Sequence, residues 1–305
     1  MLNKHNDLGK IFILFLVGIG CGVSVSYIYL ILFLIFGYFY FIKELLSIKH
    51  KKTAFVNGLV FGFGYFLGCM HWIVYPFLVY EKHLILAPFV LIFFPLFLGL
   101  FFGFSGLVIN FSTKIIKKEF FLLNVTVITT ILFFFELARA FIFGGLPLSL
   151  TAHIWALNSN FISIASYIGV FGLCFLTILW ITIVSLLCIK KKFKLSSLTS
   201  VLFPCFLFFF PLSDNIHDQK KINVRVIQPN INQKDKWNKD LYQQHFNILV
   251  ELTKKDLTAS PTIIVWPEVS LTLFLNEEDE LINYLDEILP KNVFLVTGSL
   301  RREFK

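Results

Sequence analysis

The 305 residues are 57% hydrophobic and 18% aromatic but only 15% charged, with a mean hydropathy of +0.77. A soluble domain is nearer half apolar and a quarter charged, so the composition excludes a soluble globular protein and predicts an integral membrane one. The net charge of +8 is unevenly spread: residues 1–212 carry 15 Lys/Arg against five Asp/Glu (Asp7, Glu44, Glu81, Glu119, Glu136), whereas residues 213–305 carry 12 against 14. The basic residues stand between apolar segments, which makes them topology signals and argues against a nucleic-acid partner.

A helix needs about 20 apolar residues to cross a bilayer. The run from Ile11 to Ile42 is too long for one span and divides near Gly22–Ser26 into two short or tilted helices. Further spans are expected over roughly 54–79, 84–112, 121–143, 161–189 and 196–212, giving a helical bundle of about seven spans over residues 1–212. The start resembles a signal peptide but lacks a small-residue cleavage site, so it reads as an uncleaved first helix. Lys4, Lys10, Lys43, Lys49, Lys51, Lys52, Lys114, Lys117, Lys118, Lys190, Lys191, Lys192 and Lys194 fall on one side of the bundle, and Lys82 alone on the other. The positive-inside rule then places the amino terminus in the cytoplasm. An odd number of spans puts residues 213–305 outside, on the periplasmic face of a bacterial inner membrane.

Within the spans, Glu136 and Arg139 lie on one helix face at i,i+3 spacing. Charges inside a bilayer are costly and are paired or functional, so this pair is read either as a structural ion pair or as part of a substrate site. His71-Trp72 and His153 to Trp155 read as interfacial anchors. Cys21, Cys69, Cys174, Cys188 and Cys205 all sit in apolar segments and read as small core residues. Their spacing matches no metal site, and neither a Walker nor a Rossmann motif occurs, so neither metal nor cofactor is expected.

After Pro211 the composition changes. Ile222-Asn223-Val224-Arg225-Val226-Ile227-Gln228 alternates as a strand, and Gln228-Pro229-Asn230 ends it with turn chemistry. Residues 239–257 have helical spacing through Leu241, Phe246, Leu249, Val250 and Leu252, and Ser260-Pro261 breaks the helix. Thr262-Ile263-Ile264-Val265 reads as a strand buried on both faces. It runs into Trp266-Pro267-Glu268, where proline ends ladder pairing and a carboxylate stands at a strand's carboxyl end, the place where open α/β sheets hold ligands. Asn276 is the expected N-cap of a second helix, with Glu277 to Glu280 favourable in its first turn. Val293 to Val296 form a third strand ended by Thr297-Gly298-Ser299. Strand, helix, strand, helix, strand predicts a parallel sheet with right-handed crossovers. Three strands leave open edges, so residues 213–305 read as an α/β domain cut short.

Four stretches carry a resemblance. Phe61-Gly62-Phe63-Gly64-Tyr65-Phe66 through His71-Trp72, Glu136-Leu137-Ala138-Arg139 through Gly144-Gly145-Leu146-Pro147, Val226 to Ile231 with Lys236-Trp237, and Trp266-Pro267-Glu268 together resemble the amino-terminal portion of bacterial apolipoprotein N-acyltransferase. The resemblance implies a membrane bundle followed by the start of a periplasmic nitrilase-like (carbon–nitrogen hydrolase) sandwich. It also implies acyl transfer from a phospholipid to the amino-terminal diacylglyceryl-cysteine of a lipoprotein through a cysteine thioester. The family's Glu–Lys–Cys triad would place Glu268 as general base. Trp237 would stand near the substrate entrance, its other reading being an interfacial aromatic. Lys291 and Lys305 do not stand in the family's lysine motif and no Cys follows Cys205, so this chain is expected to be inactive alone. The alternative is a non-catalytic membrane subunit or remnant that binds lipid or pairs with a separately encoded carboxyl-terminal half. The sequence shows no internal repeats, which argues against a transporter.

Overall fold

The computed structural model describes residues 2–116, 119–142, 145, 147–210, 222–255 and 263–302, with residues 2–7 as backbone alone. Lys117, Lys118, Gly144, Leu146, Pro211, Ser260-Pro261, Thr262 and Lys305, named above, lie outside these residues. The chain forms two compact units, Met1–Asn215 and Ile216–Lys305.

Among the described residues the first unit carries helices and no strand: α1 (Leu2–Ser24), α2 (Ile31–Ser47), α3 (Lys51–Met70), α4 (Tyr75–Leu78), α5 (Ala87–Ile115), α6 (Phe121–Phe141), α7 (Ser159–Ile162), α8 (Ala165–Ile189) and α9 (Phe193–Phe208). The first apolar run divides within the expected stretch, since α1 ends at Ser24, whose hydroxyl donates to the Cys21 carbonyl at 2.6 Å. Among the described residues, five helical stretches are long and apolar enough to cross a membrane: Ile28–Ser47, Lys51–Leu78, Glu81–Ile115, Phe121–Phe141 and Ala165–Ile189. The apolar part of α1, Leu8–Ser24, and α9 are shorter. At 1.5 Å per residue each is about 24–26 Å long, less than the hydrocarbon thickness. Five helices of sufficient length and apolarity are therefore found among the described residues, where about seven spans were expected.

α3 is the spine of this unit. Between apolar helices in lipid, van der Waals packing replaces the hydrophobic effect, and small residues let backbones close up. A methyl group at Gly18 or Gly22 of α1 would sit on the Phe61 or Tyr65 carbonyl of α3, and one at Gly64 or Gly68 of α3 would sit on the Phe15 or Ile19 carbonyl of α1. Gly62, two residues before Gly64 and so about 200° round the helix, and Gly58, about one turn before Gly62, meet α5 at Phe102, Gly103 and Gly99. One helix thus presents glycine to two neighbours on opposite faces. Gly64→Ala is expected to cost about 1–3 kcal/mol, whereas Gly9→Ala, whose new methyl meets nothing within 4 Å, costs nothing measurable. Thermal unfolding in detergent checks this, and equal losses would refute the close-packing account.

Two local expectations are corrected here. Trp155 is no interfacial anchor. It is fully buried in a 3₁₀ turn (Thr151–Trp155), donating from Nε1 to Thr177 Oγ1 at 2.9 Å, because a buried indole needs an acceptor and α8 supplies one. Trp72 is 43% exposed, its Nε1 satisfied by the Cys69 carbonyl. Of the cysteines, Cys21, Cys69 and Cys174 are buried as expected, but Cys205 faces outward on α9.

The second unit carries β1 (Val224–Val226), α10 (Tyr242–Lys254), β2 (Ile263–Val265), β3 (Leu271–Phe274), α11 (Asp279–Ile288), β4 (Phe294–Val296) and β5 (Ser299–Leu300). The expected parallel three-stranded sheet forms in the order β1-β2-β4, with Val224 beside Ile263 beside Phe294. α10 covers one face through Phe246, Leu249 and Val250, at i, i+3 and i+4, which pack with Ile264 and Trp266. Ile264 is fully buried, but Ile263 and Val265 are only half-buried. The reading of β2 as buried on both faces is therefore corrected: its other face lies in a stripe with Val224, Val226, Phe294 and Val296, all more than half exposed. A second parallel pair, β3 with β5, was not foreseen, and Ser299 begins β5 where it was expected to close the third strand. Asn276 is not an N-cap, since α11 starts at Asp279. Its amide instead donates to the Arg302 carbonyl at 3.1 Å and accepts from the Arg302 N–H at 3.4 Å, tying the segment before α11 to the chain just past β5.

Candidate functional site

Glu268 is held by its backbone. β2 ends at Val265, the Trp266 N–H donates to the Val296 carbonyl at 2.9 Å, and the Ser270 N–H closes a turn on the Pro267 carbonyl at 3.2 Å. Within that turn Val269 has φ 48°, a left-handed conformation that a β-branched residue rarely takes and that costs on the order of 1–3 kcal/mol. The surroundings hold it there. A Cβ at Gly298 would come within 2.6 Å of the Val269 nitrogen, so only glycine lets the β4–β5 turn approach this closely. Ser270 Oγ and Thr297 Oγ1, 2.7 Å apart, clip the two turns together. Below them Trp266, 3% exposed, donates from Nε1 to Thr253 Oγ1 on α10 at 2.8 Å. Indole and helix together anchor the strand end that presents the carboxylate.

Glu268 itself is exposed and lines a cavity of about 250 Å³. Tyr242, His245 and Lys236 face the same space. Lys236 Nζ donates to the Glu268 backbone carbonyl at 3.1 Å, fastening the loop after β1 to the turn after β2. The Tyr242 hydroxyl is buried without a partner, and burial, followed by the Glu278 carboxylate, pushes its pKa up, so it stays a neutral donor. Tyr242 and His245 were not singled out from the sequence. Their i,i+3 spacing beside the apolar face of α10 is the signal that could have found them. Trp237 follows Lys236 in the loop but is 51% exposed and is not among the residues lining the cavity. A carboxylate, an imidazole and a phenol round one cleft can exchange a proton with a group bound there.

Glu136 and Arg139 belong to the helical unit. Past the end of α6, Gly145 (φ 82°) and Ser149 (φ 52°) turn the chain back. A methyl group at Gly145 would strike the Ala140 carbonyl. The returning segment satisfies both charges. Arg139 Nη1 donates to the Leu148 carbonyl at 2.7 Å, and Glu136 Oε1 accepts the Thr151 N–H at 2.5 Å. The Thr151 hydroxyl lies 2.9 Å from Glu136 Oε2, which uses its single proton, so Tyr38, 3.2 Å away, is the donor to Thr151. The guanidinium and carboxylate are 3.9 Å apart, and the guanidinium stacks 5.2 Å from the centre of the Phe66 ring. The cavity beside them is only about 20 Å³, room for a water-sized group.

These features define a multi-pass helical membrane protein joined to a parallel α/β unit that presents a carboxylate at a strand end. The chain belongs to the apolipoprotein N-acyltransferase family: residues 17–183 match the family described as the apolipoprotein N-acyltransferase N-terminal domain. It is similar to the apolipoprotein N-acyltransferase of Allorhizobium ampelinum, with 26% identity over 83% of this chain and 48% of that protein. The enzyme of the same name from Rickettsia prowazekii is 27% identical over 80% of this chain and 49% of its own length, and that from Rhodopseudomonas palustris is 24% identical over 82% and 48%. The chain therefore spans about half the length of the curated relatives it matches.

Proposed function

We propose that this chain supplies the membrane bundle and the general-base half of a phospholipid:apolipoprotein N-acyltransferase. The observation that carries the reading is Glu268, exposed at the end of β2 in a cavity, on a turn fixed by Trp266, Gly298 and Lys236. In this reaction a base takes a thiol proton, the thiolate attacks a phospholipid ester to form a thioester, the expelled lysophospholipid oxygen takes the proton, and the amino group of a diacylglyceryl-cysteine then takes the acyl group as an amide and frees the thiol. Glu268 takes the base's part, and residues 213–305 form the start of a nitrilase-like domain on the periplasmic face of the bacterial inner membrane. α1 and α9 complete seven spans by local thinning of the bilayer and snorkelling of flanking residues. Trp237, exposed in the loop beside the cavity, is assigned to the substrate entrance. Glu136 and Arg139 are assigned a structural part, because each is satisfied by the returning chain and the space beside them is too small for a lipid.

No cysteine occurs after Cys205, so the nucleophile comes from sequence other than these 305 residues. The test is direct. The purified chain, incubated with phospholipid labelled in its acyl chain, is expected to form no hydroxylamine-sensitive adduct. Addition of a polypeptide carrying the rest of a relative's α/β domain, with its lysine and cysteine, is expected to restore acyl transfer. A thioester on any cysteine of the chain alone, or no activity with the added half, would overturn the reading.

A further inference from the structure

Where α2, α5 and α8 end and α6 begins, the bundle encloses a cavity of about 750 Å³, within the range of ligand sites. Lys49, Lys114 and Lys190 line it, and among the described residues no carboxylate does. Nor, among the described residues, does an ion pair neutralise any of the three. One proton of Lys114 is engaged, as Nζ donates to the Lys49 carbonyl past the end of α2, which leaves the cationic charge uncompensated. α6, 21 residues long, opens onto the cavity at Phe121 with no side-chain cap, adding the positive end of its dipole. Asn110 is 1% exposed and spends its amide protons on the Leu45 and Ile48 carbonyls, 2.8 Å each. Its Oδ1 is buried without any partner, and a buried acceptor left empty is costly. The rest of the wall is apolar, through Phe121 and Ile189.

Three cations without a carboxylate partner (Lys190 stands 5.1 Å from the centre of the Phe121 ring), a helix amino terminus and an orphan acceptor, framed by apolar side chains at the basic end of a membrane bundle, are complementary to one kind of molecule. We propose that this cavity binds the headgroup of an anionic glycerophospholipid, with the phosphate among Lys49, Lys114 and Lys190, a headgroup hydroxyl donating to Asn110 Oδ1, and the acyl chains running out along Phe121. Basic pockets between membrane helices recognise anionic headgroups in this way. The site lies wholly within the helical unit and is independent of Glu268 and of acyl transfer.

The test uses the full chain in detergent, titrated with phosphatidylglycerol and phosphatidylcholine of identical acyl chains and followed by native mass spectrometry. Phosphatidylglycerol is expected to bind at least about tenfold more tightly, and the double substitution Lys114→Gln, Lys190→Gln to remove that preference. Lys10→Gln, Lys43→Gln, which removes the same charge elsewhere, is expected to leave it intact. A photoactivatable phosphatidylglycerol on the unaltered protein is expected to label segments 46–49, 110–116 and 186–190, which tests the site even if the pocket variant fails to fold. Equal binding of the two lipids, equal loss in both double variants, labelling elsewhere, or displacement of the lipid by millimolar inorganic phosphate would each overturn the proposal.

Discussion

Glu268→Gln, made in the chain completed by the remainder of a relative's α/β domain, is expected to lower the rate of acyl transfer by about 10²–10⁴-fold, the usual contribution of a general base. Glutamine keeps the shape and the hydrogen-bonding reach of the side chain but cannot take a proton. The backbone that positions residue 268 is fixed by the Trp266–Thr253 bond, the Lys236 contact and the close approach of Gly298, none of which involves the carboxylate. The fold should therefore survive and the loss should fall on the rate. The check is formation of the thioester from labelled phospholipid at several pH values. A wild-type rate would remove Glu268 from the mechanism, and a lowered unfolding temperature would recast it as structural.

The largest expected loss of stability follows Arg139→Ala. Arg139 is 3% exposed, and removing one member of a buried pair costs about 3–5 kcal/mol because the partner stays charged in a poor solvent. Here the remaining Glu136 would keep its bonds to Thr151 but lose its counter-charge, and the Leu148 carbonyl would lose its donor. The double substitution Glu136→Gln, Arg139→Gln is expected to be far milder, since it leaves no charge behind. Thermal unfolding of the two variants in detergent separates the accounts. A structural pair gives strong coupling between the two sites, whereas additive losses would return the pair to the substrate-binding reading.

The parts of the fold that were legible in the sequence are those governed by local pattern. The apolar runs at Ile263–Val265 and Phe294–Val296, the i,i+3,i+4 spacing of Phe246, Leu249 and Val250, and the turn at Gly22–Ser26 each announce their element and were found close to where expected. What escaped depends on distant partners. Leu271–Phe274 pairs with two residues at Ser299–Leu300, too short a strand to carry a period. Asn276 looks like a helix cap until Arg302, 26 residues on, claims both ends of its amide. Trp155 looks like an interfacial residue until Thr177 on another helix accepts its proton. At the site, the strand end and its carboxylate were visible because proline and glutamate interrupt an apolar run. Tyr242 and His245 were not, because a helix supplies them from across the cavity.

The glycine contacts of α3 imply an unusual map of mutational tolerance. Any single-base change that alters a glycine codon introduces at least a Cβ, and Gly18, Gly22, Gly58, Gly62, Gly64 and Gly68 each have a neighbouring helix within 3 Å of that point. Every one-step missense variant there pushes two helices apart. Large residues such as Phe12, Phe33 and Phe93, which face outward from the helices, can exchange freely for other apolar side chains. In a saturation library of this chain, these glycines should therefore be among the most intolerant positions of the membrane unit, and its bulky outward-facing residues among the most replaceable.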